Sequence, residues 1–409
     1  MGTIDQRRDE ASALQDDLVA LRRAIHRHPE IGLQLPRTQE AVLNALDGLD
    51  LEVSTGRALS SVTAVLRGAR PGPAVLLRAD MDALAITEAT GLDYASEVAG
   101  VMHACGHDLH VAMLVGAARL LSAHRDALDG DVVFMFQPGE EGYNGAGHMI
   151  AEGVLDAAGV RVSSAYGMHV RSHQNQRGTF SSRPGPLMAA VDGLSVTVHG
   201  VGGHGSMPHK GRDPVTTAAE MVIALQTLVT RRFDAFDPVV ITVGSFHAGT
   251  SASTIPETAR FEATVRAFSS ANQALIRSET ARLCENIASA YGSTAEVEYC
   301  EIYPVTVNNA EQYAFAGDVI SDVLGPERFQ SVANPIGSAE DFSRVLDEVP
   351  GCYVLLGASA ADDPLRAASN HSPRAIFDDA VLSDGALVYA ELAIRALHRD
   401  ASRRLTGDK

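Results

Sequence analysis

The nine residues 102–110, MHACGHDLH, pack together Cys105, His107, Asp108 and His110, with His103 just before them. Thiolate and imidazole are the best side-chain ligands for borderline-soft divalent metals. A Cys-x-His pair in the mouth of a helix is half of a metal site. The other half has to come from elsewhere in the chain. Isolated acidic and histidine residues in loop-like contexts supply it: Glu140 and Glu141 in FQPGEEG, His169 in YGMHV and His371 in SNHSP. The reading is that Cys105, His107, Glu141, His169 and His371 bind metal. Taken singly these are weak signals, because a lone loop histidine is usually solvated and a lone cysteine is usually a small buried hydrophobe. Together they are stronger, since all five fall at strand ends or in adjoining loops, positions that converge on one rim of an α/β sheet.

The Glu140–Glu141 pair carries the second half of the chemistry. Adjacent carboxylates repel, yet these two follow an apolar run and precede a glycine, where backbone approaches something closely. The division of labour is one ligand and one base. Glu141 binds metal, and Glu140 takes a proton from a metal-activated water and passes it to a leaving nitrogen. A solvated acidic turn is the plain alternative. These are the parts of a two-metal hydrolase. Asp80 and Asp82 are either ligands or outer groups that orient a ligating imidazole, and Asp82 is read as the latter; a helix N-cap would account for them too. Asp108, His103 and His110 are read as outer or structural groups. Further on, HGVGGHGSMPH (199–209) sets His204 on a glycine turn, from which an imidazole can stabilise an oxyanion. Arg266, in TARFEATVRAF, could clamp a carboxylate, and a surface salt bridge explains it equally well.

The elements that must position these residues alternate. Leu14, Leu18, Leu21 and Ile25 mark an amphipathic helix over 9–28, and a second helix covers about 37–48. SSVTAVLRG and PAVLLRADMDAL read as strands, the latter buried on both faces and ending in Asp80 and Asp82. A helix follows the Cys-His run, then the strand DVVFMFQ, a short helix, and the strand SSAYGMHV ending near His169. Strand and helix in alternation predict a doubly wound α/β domain. At SSRPGPLMAAVD (181–192) the pattern changes, and the order βαββαβ that follows suggests an inserted ferredoxin-like domain. From about 303 the α/β pattern resumes. The domains expected are 1–184 with 302–409, and an insert of 185–301.

Composition excludes other classes. With 409 residues the chain is too long for one compact domain. A formal net charge of −18 argues against nucleic acid and anionic membranes as partners. No apolar run reaches the about 18 residues a membrane helix needs. The N-terminus is polar and charged, unlike a signal peptide. Cys105, Cys284, Cys300 and Cys352 show no framework spacing, which fits free thiols in a reducing compartment. A cytoplasmic protein is expected.

Taken together, the motifs LRRAIHRHPEIG, LLRADMDAL, HACGHDLH, FQPGEEGYNGAGHMI, YGMHV, GPLMAAVD, GVGGHGSMPH, GSAEDFS and NHSP resemble the metal-dependent N-acyl-amino-acid amidohydrolases. This family includes hippurate hydrolase, bacterial aminoacylase and the plant indole-acetyl-amino-acid hydrolases. The resemblance runs nearly end to end. It implies a catalytic α/β domain with a dinuclear site, and an inserted lid domain that also mediates formation of a homodimer or higher oligomer. It implies ligand roles for Cys105, His107, Glu141, His169 and His371, the base role for Glu140, and an oxyanion role for His204, supplied across subunits in relatives with a dimerising lid. Two divalent ions per subunit are implied, with zinc, manganese, cobalt and nickel all open. Departures from the pattern are Ala85 for Pro, Gly139 for Ala, and Ser253 for an Asn that lies near the substrate in relatives. The expected substrate is an N-acyl-amino acid, cleaved to a carboxylic acid and a free amino acid. A carboxypeptidase or dipeptidase with the same machinery, and a metal-binding protein without turnover, are the rival readings.

Overall fold

A computed structural model describes residues 3–406. The chain divides into two compact units, one of residues 1–185, 307–333 and 344–409, the other of 186–306 and 334–343. The larger unit is built on an eight-stranded mixed sheet. Its spatial order is Glu52–Thr55, Val62–Leu66, Asp131–Gln137, Ala74–Asp80, Ser164–Arg171, Gly351–Gly357, Phe180–Ser182 and Phe329–Ser331. The middle four run parallel. Every residue of Ala74–Asp80 and of Gly351–Gly357 is buried. That is why these segments read as continuous apolar runs with no alternation. The strand order is not the chain order: Gly351–Gly357 inserts between Ser164–Arg171 and Phe180–Ser182.

Helix His107–Ala123 packs on this sheet and against helices Gln15–Arg27 and Leu382–Thr406. It is apolar on nearly all sides, as a helix enclosed by other elements must be. Its first residue is His107, and its N-cap is Gly106 at φ +84°. A Cβ at Gly106 would lie 2.5 Å from Val170 Cγ2 and 3.0 Å from the Phe377 ring. Glycine therefore lets the cysteine loop turn into the helix hard against the strand that carries His169. Near the N-terminus, the predicted single helix over 9–28 is two, Ile4–Ala13 and Gln15–Arg27, joined at Leu14. The Leu14 amide bonds back to Ala11, which closes a tighter turn at the junction.

The smaller unit is an antiparallel sheet in the order Val239–Ala248, Thr258–Ala267, Ala190–His199, Thr294–Tyr303, with helices Pro214–Arg232 and Ser270–Ala290 packed on it. Strict alternation of buried and exposed residues along Thr258–Ala267 gives this sheet one apolar face. Val196, Phe261, Met221, Leu225 and Ile276 fill the space between sheet and helices. Asp213 and Ser269 cap the two helices through Val215 and Asn272 amides. Residues 334–343 join this unit through the Ala189 amide, which bonds Ile336 and Ser338 carbonyls. Among the described residues no helix is long and apolar enough to cross a membrane.

Candidate metal centre

Five predicted ligands meet at the carboxyl ends of the parallel strands. Cys105 Sγ lies 3.4 Å from His169 Nε2 and 3.3 Å from His371 Nε2. His371 Nε2 is 3.3 Å from Glu141 Oε1, which is 4.0 Å from His107 Nε2. The donor atoms form two groups that share Cys105: one with His107 and His169, the other with Glu141 and His371. Glu140 lies beside them, grouped with His107 and Glu141.

The electrostatics of the cluster favour positive charge. Cys105 and Glu141 push the His371 imidazole up to about 10. Burial opposes charge on His107, but Asp80 and Cys105 outweigh it and raise this imidazole well above its ordinary value. Burial would raise Glu141, yet His371 and His107 hold its carboxyl below the usual range. His169 is kept neutral by burial and by His110. Buried His107 Nε2 and Glu141 Oε1 make no hydrogen bond of good geometry, a costly state for enclosed polar atoms. A soft sulfur, three imidazole nitrogens and a carboxylate, with enclosed donor atoms aimed at one another, fit divalent metal ions.

The outer contacts sort the remaining candidates. His107 Nδ1 donates to the Asp82 carbonyl at 2.9 Å, which leaves Nε2 as its metal-facing atom. The Asp82 carboxylate accepts the amides of Glu140 and Glu141 at 2.9 and 3.0 Å. Asp82 thus orients an imidazole through its backbone, and its side chain fixes the turn that bears both glutamates. His110 is excluded as a ligand because both nitrogens are engaged. Nδ1 faces Asp80, which also pairs with Arg78 at 2.7 Å, and Nε2 accepts the Val170 amide at 2.8 Å.

A second buried network braces the same helix through Asp108, which was read as an outer or structural group; its partners were not anticipated from sequence. Asp108 pairs with Arg22 at 2.7 Å and with His26 at 2.8 Å. His26 also faces Glu88 at 3.3 Å, and Arg22 reaches Asp379 at 3.1 Å. Burial alone would raise the Asp108 carboxyl, but Arg22 and His26 hold it far below the usual range. The available signal was Arg22 and His26 four residues apart on one face of Gln15–Arg27, in a position that should be apolar.

In this chain the glutamate turn places Gly139, a departure from the family's Ala, at φ +74°. A Cβ there would lie 2.5 Å from Leu33 Cδ2 and 3.1 Å from Tyr143 Cβ. Gly139→Ala is therefore expected to lower the unfolding midpoint by the equivalent of about 1–2 kcal/mol, the cost of left-handed backbone for a residue with a Cβ. Urea unfolding of the two proteins side by side tests this, and an unchanged midpoint would refute it.

His204, Ser253 and Arg266 lie in the smaller unit. His204 is exposed and pairs in a two-stranded ladder with Thr254, the residue after Ser253. The Gly205 amide donates to the Ser253 carbonyl at 2.8 Å, so the histidine turn and Ser253 are neighbours. The Ser206 amide donates to His204 Nδ1 at 3.1 Å. A backbone amide can only donate, so the proton of the neutral ring is on Nε2. Arg266 Nη1 donates to the Gly337 carbonyl at 2.7 Å, and no carboxylate partner is seen for it among the described residues.

A parallel-stranded α/β core with a cluster of Cys, His and Glu at its strand ends defines a hydrolase of the metallopeptidase type, and the comparisons agree. Residues 76–395 match peptidase family M20/M25/M40. The chain is 37% identical over 399 residues to thermostable carboxypeptidase 1 of Saccharolobus solfataricus, covering 97% of this chain and 99% of the relative. It is 36% identical to the IAA-amino acid hydrolase ILR1-like 2 of Arabidopsis thaliana, covering 95% and 87%. Among solved structures, the Bacillus subtilis YXEP protein, a dinuclear metal binding peptidase from the M20 family, superposes with a TM-score of 0.80 at 32% identity, covering 95% and 99%. The chain belongs to peptidase family M20/M25/M40 and is a hydrolase of amide bonds.

Proposed function

We propose that this enzyme cleaves the amide of N-acyl-amino acids, releasing a carboxylic acid and a free amino acid. The observation that carries the reading is the convergence of Cys105, His107, Glu141, His169 and His371, with Glu140 beside them. These five would hold two divalent ions, and zinc, manganese, cobalt and nickel all suit the donor set. When bound, such ions polarise the scissile carbonyl and acidify the attacking water. Glu140 would take a proton from the attacking water and deliver it to the leaving nitrogen, while Asp82 fixes the turn on which Glu140 stands. His204, with its proton on Nε2, donates to the developing oxyanion. Arg266 and Ser253 belong to substrate recognition.

In this reading the larger unit is the catalytic domain. The smaller is an inserted lid of ferredoxin-like topology that also joins subunits into a homodimer or higher oligomer, and the enzyme works in the cytoplasm. A peptidase acting on short peptides would use the same machinery, and the likeness to the carboxypeptidase supports that second reading.

Amino-acid release from a panel of N-acyl-amino acids and dipeptides separates the two. The assay is run on metal-stripped protein and again after zinc, manganese, cobalt or nickel is restored. Metal-dependent release from an acyl class is the expected result. Release from dipeptides alone would make the enzyme a peptidase, and metal binding without any release would overturn both readings.

A further inference from the structure

The three donor atoms around Cys105 Sγ come from distant parts of the chain. Cys105 precedes a helix, His169 is on a central strand, and His371 lies in a loop beyond residue 357. Main-chain bonding ties the His371 and Cys105 segments at one point, the His371 amide on the Ala104 carbonyl. His371 is moreover held at φ +67°, a conformation that a residue with a Cβ adopts only where its surroundings impose it. Something must hold these segments in mutual register.

The side chain that touches all of them is Asn370. Its Oδ1 accepts the Ser172 amide at 3.0 Å and lies 3.0 Å from the Ser172 hydroxyl, whose one proton it shares with the Ala368 carbonyl at 2.8 Å. Its Nδ2 donates to the Val170 carbonyl at 3.0 Å and to the Cys105 carbonyl at 3.3 Å, and lies 3.9 Å from Cys105 Sγ. Because an amide N–H can only donate, the Ser172 contact fixes which end of the carboxamide is oxygen. A carboxamide offers two donors and two acceptor positions, and every one is used here. The pattern joins the cysteine loop to the two residues that follow His169 by one and three positions. Through the main chain it also joins both to His371. The His371 amide adds a tie of its own, donating to the Ala104 carbonyl at 2.9 Å.

We propose that Asn370 is a positioning residue for the metal centre: its carboxamide sets Cys105, His169 and His371 in register, and metal affinity depends on it although it is no ligand. This rests on the assignment of those three residues as ligands. Alternatives at position 370 fail for stated reasons. Aspartate keeps both acceptors for Ser172 but loses both donors and turns an oxygen toward two carbonyls. Alanine loses all four bonds. Glutamine carries the amide one methylene too far.

The test uses the full-length enzyme, stripped and titrated with cobalt against a competing chelator, with the thiolate-to-cobalt charge-transfer band as a second readout. Asn370→Asp and Asn370→Ala are expected to weaken cobalt binding by about 10- to 100-fold, the usual cost of losing a partner that orients a ligand, and to shift or weaken the band. The Cys105→Ser variant tests the ligand assignment separately. If the band survives in it, the assignment fails, whatever Asn370 does. If the band needs Cys105 while both Asn370 variants keep the wild-type dissociation constant and spectrum, the proposal is overturned. A role in stability alone is distinguishable, because it would lower the melting temperature of the metal-free variants and leave both metal readouts at wild-type values; that result also overturns the proposal. Should neither variant fold, Ser172→Ala removes the hydroxyl that Asn370 shares with the Ala368 carbonyl and keeps the Ser172 amide bond. A weakening of a few-fold is then expected, and wild-type affinity would refute the idea.

Discussion

Glu140→Gln is expected to keep its metal and lose hydrolysis. The substitution preserves the shape of the side chain and removes only the capacity to take up and return a proton. Its backbone placement does not depend on the carboxylate, since the Glu140 amide is held by Asp82 at 2.9 Å and the Glu141 amide by the same carboxylate at 3.0 Å. Glu141 should therefore stay where it is. General-base catalysis contributes about 10²- to 10⁴-fold, and kcat should fall by that factor with KM little changed. Turnover of an N-acyl-amino acid, measured beside the metal content of the same sample, decides it. Wild-type turnover in this variant would remove Glu140 from the mechanism.

Removal of the metal ions should have the other large effect. Activity should vanish on treatment with a chelator and return on addition of a divalent ion. Thermal unfolding should move as well, because a ligand that binds only the folded state stabilises it. At a free metal concentration 100 times the dissociation constant, the gain is about 2.7 kcal/mol. The charge of the cluster adds a signature. In the metal-free protein the His371 imidazole is pushed up to about 10 by Cys105 and Glu141, so at neutral pH it carries a proton that an arriving cation must displace. Metal uptake at pH 7 is therefore expected to release protons, and apparent affinity to rise as pH rises toward that value. Calorimetry in buffers of different ionisation enthalpy measures the release directly. Activity that survives complete stripping, or uptake that releases no proton, would contradict this account of the site.

The cluster of Cys105, His107, Glu141, His169 and His371 was legible in the sequence because its residue types are few and their contexts are shared. Cys105 and His107 open a helix, while Glu141 and His169 sit at or just beyond the ends of apolar strands. What stayed hidden were the partners. Asp82 reads as an acidic residue after a strand, and nothing in that position says that its carboxylate will collect two main-chain amides from a turn nearly sixty residues later. His110 carries the same ligand chemistry as His107, three residues before it. It is excluded only by Asp80 and by the Val170 amide, both brought up by other segments. Asn370 looks like an ordinary turn residue, and its four contacts all depend on tertiary structure.

The fold divides in the same way. Longer elements were readable from their apolar runs: Asp131–Gln137 and Ser164–Arg171 fall where the pattern put them. Phe180–Ser182 and Phe329–Ser331 are three residues each, too short to show a period of two. The spatial order of the strands is likewise absent from any local pattern, since it is set by which surfaces can be buried against which.

That order bears on how the chain is made. During synthesis, Ser164–Arg171 leaves the ribosome with its neighbour Ala74–Asp80 already available, but its other neighbour, Gly351–Gly357, lies roughly 180 residues further on. At about 5–20 residues per second that is a wait of about 10–40 s. Throughout it, the central strand presents an open edge of unpaired amides and carbonyls, the kind of edge that recruits strands from other chains. His371 arrives later still, so nascent chains cannot complete the cluster before residue 371 has emerged. Slow translation or a shortage of chaperones is therefore expected to lower the yield of folded protein before either affects the finished enzyme.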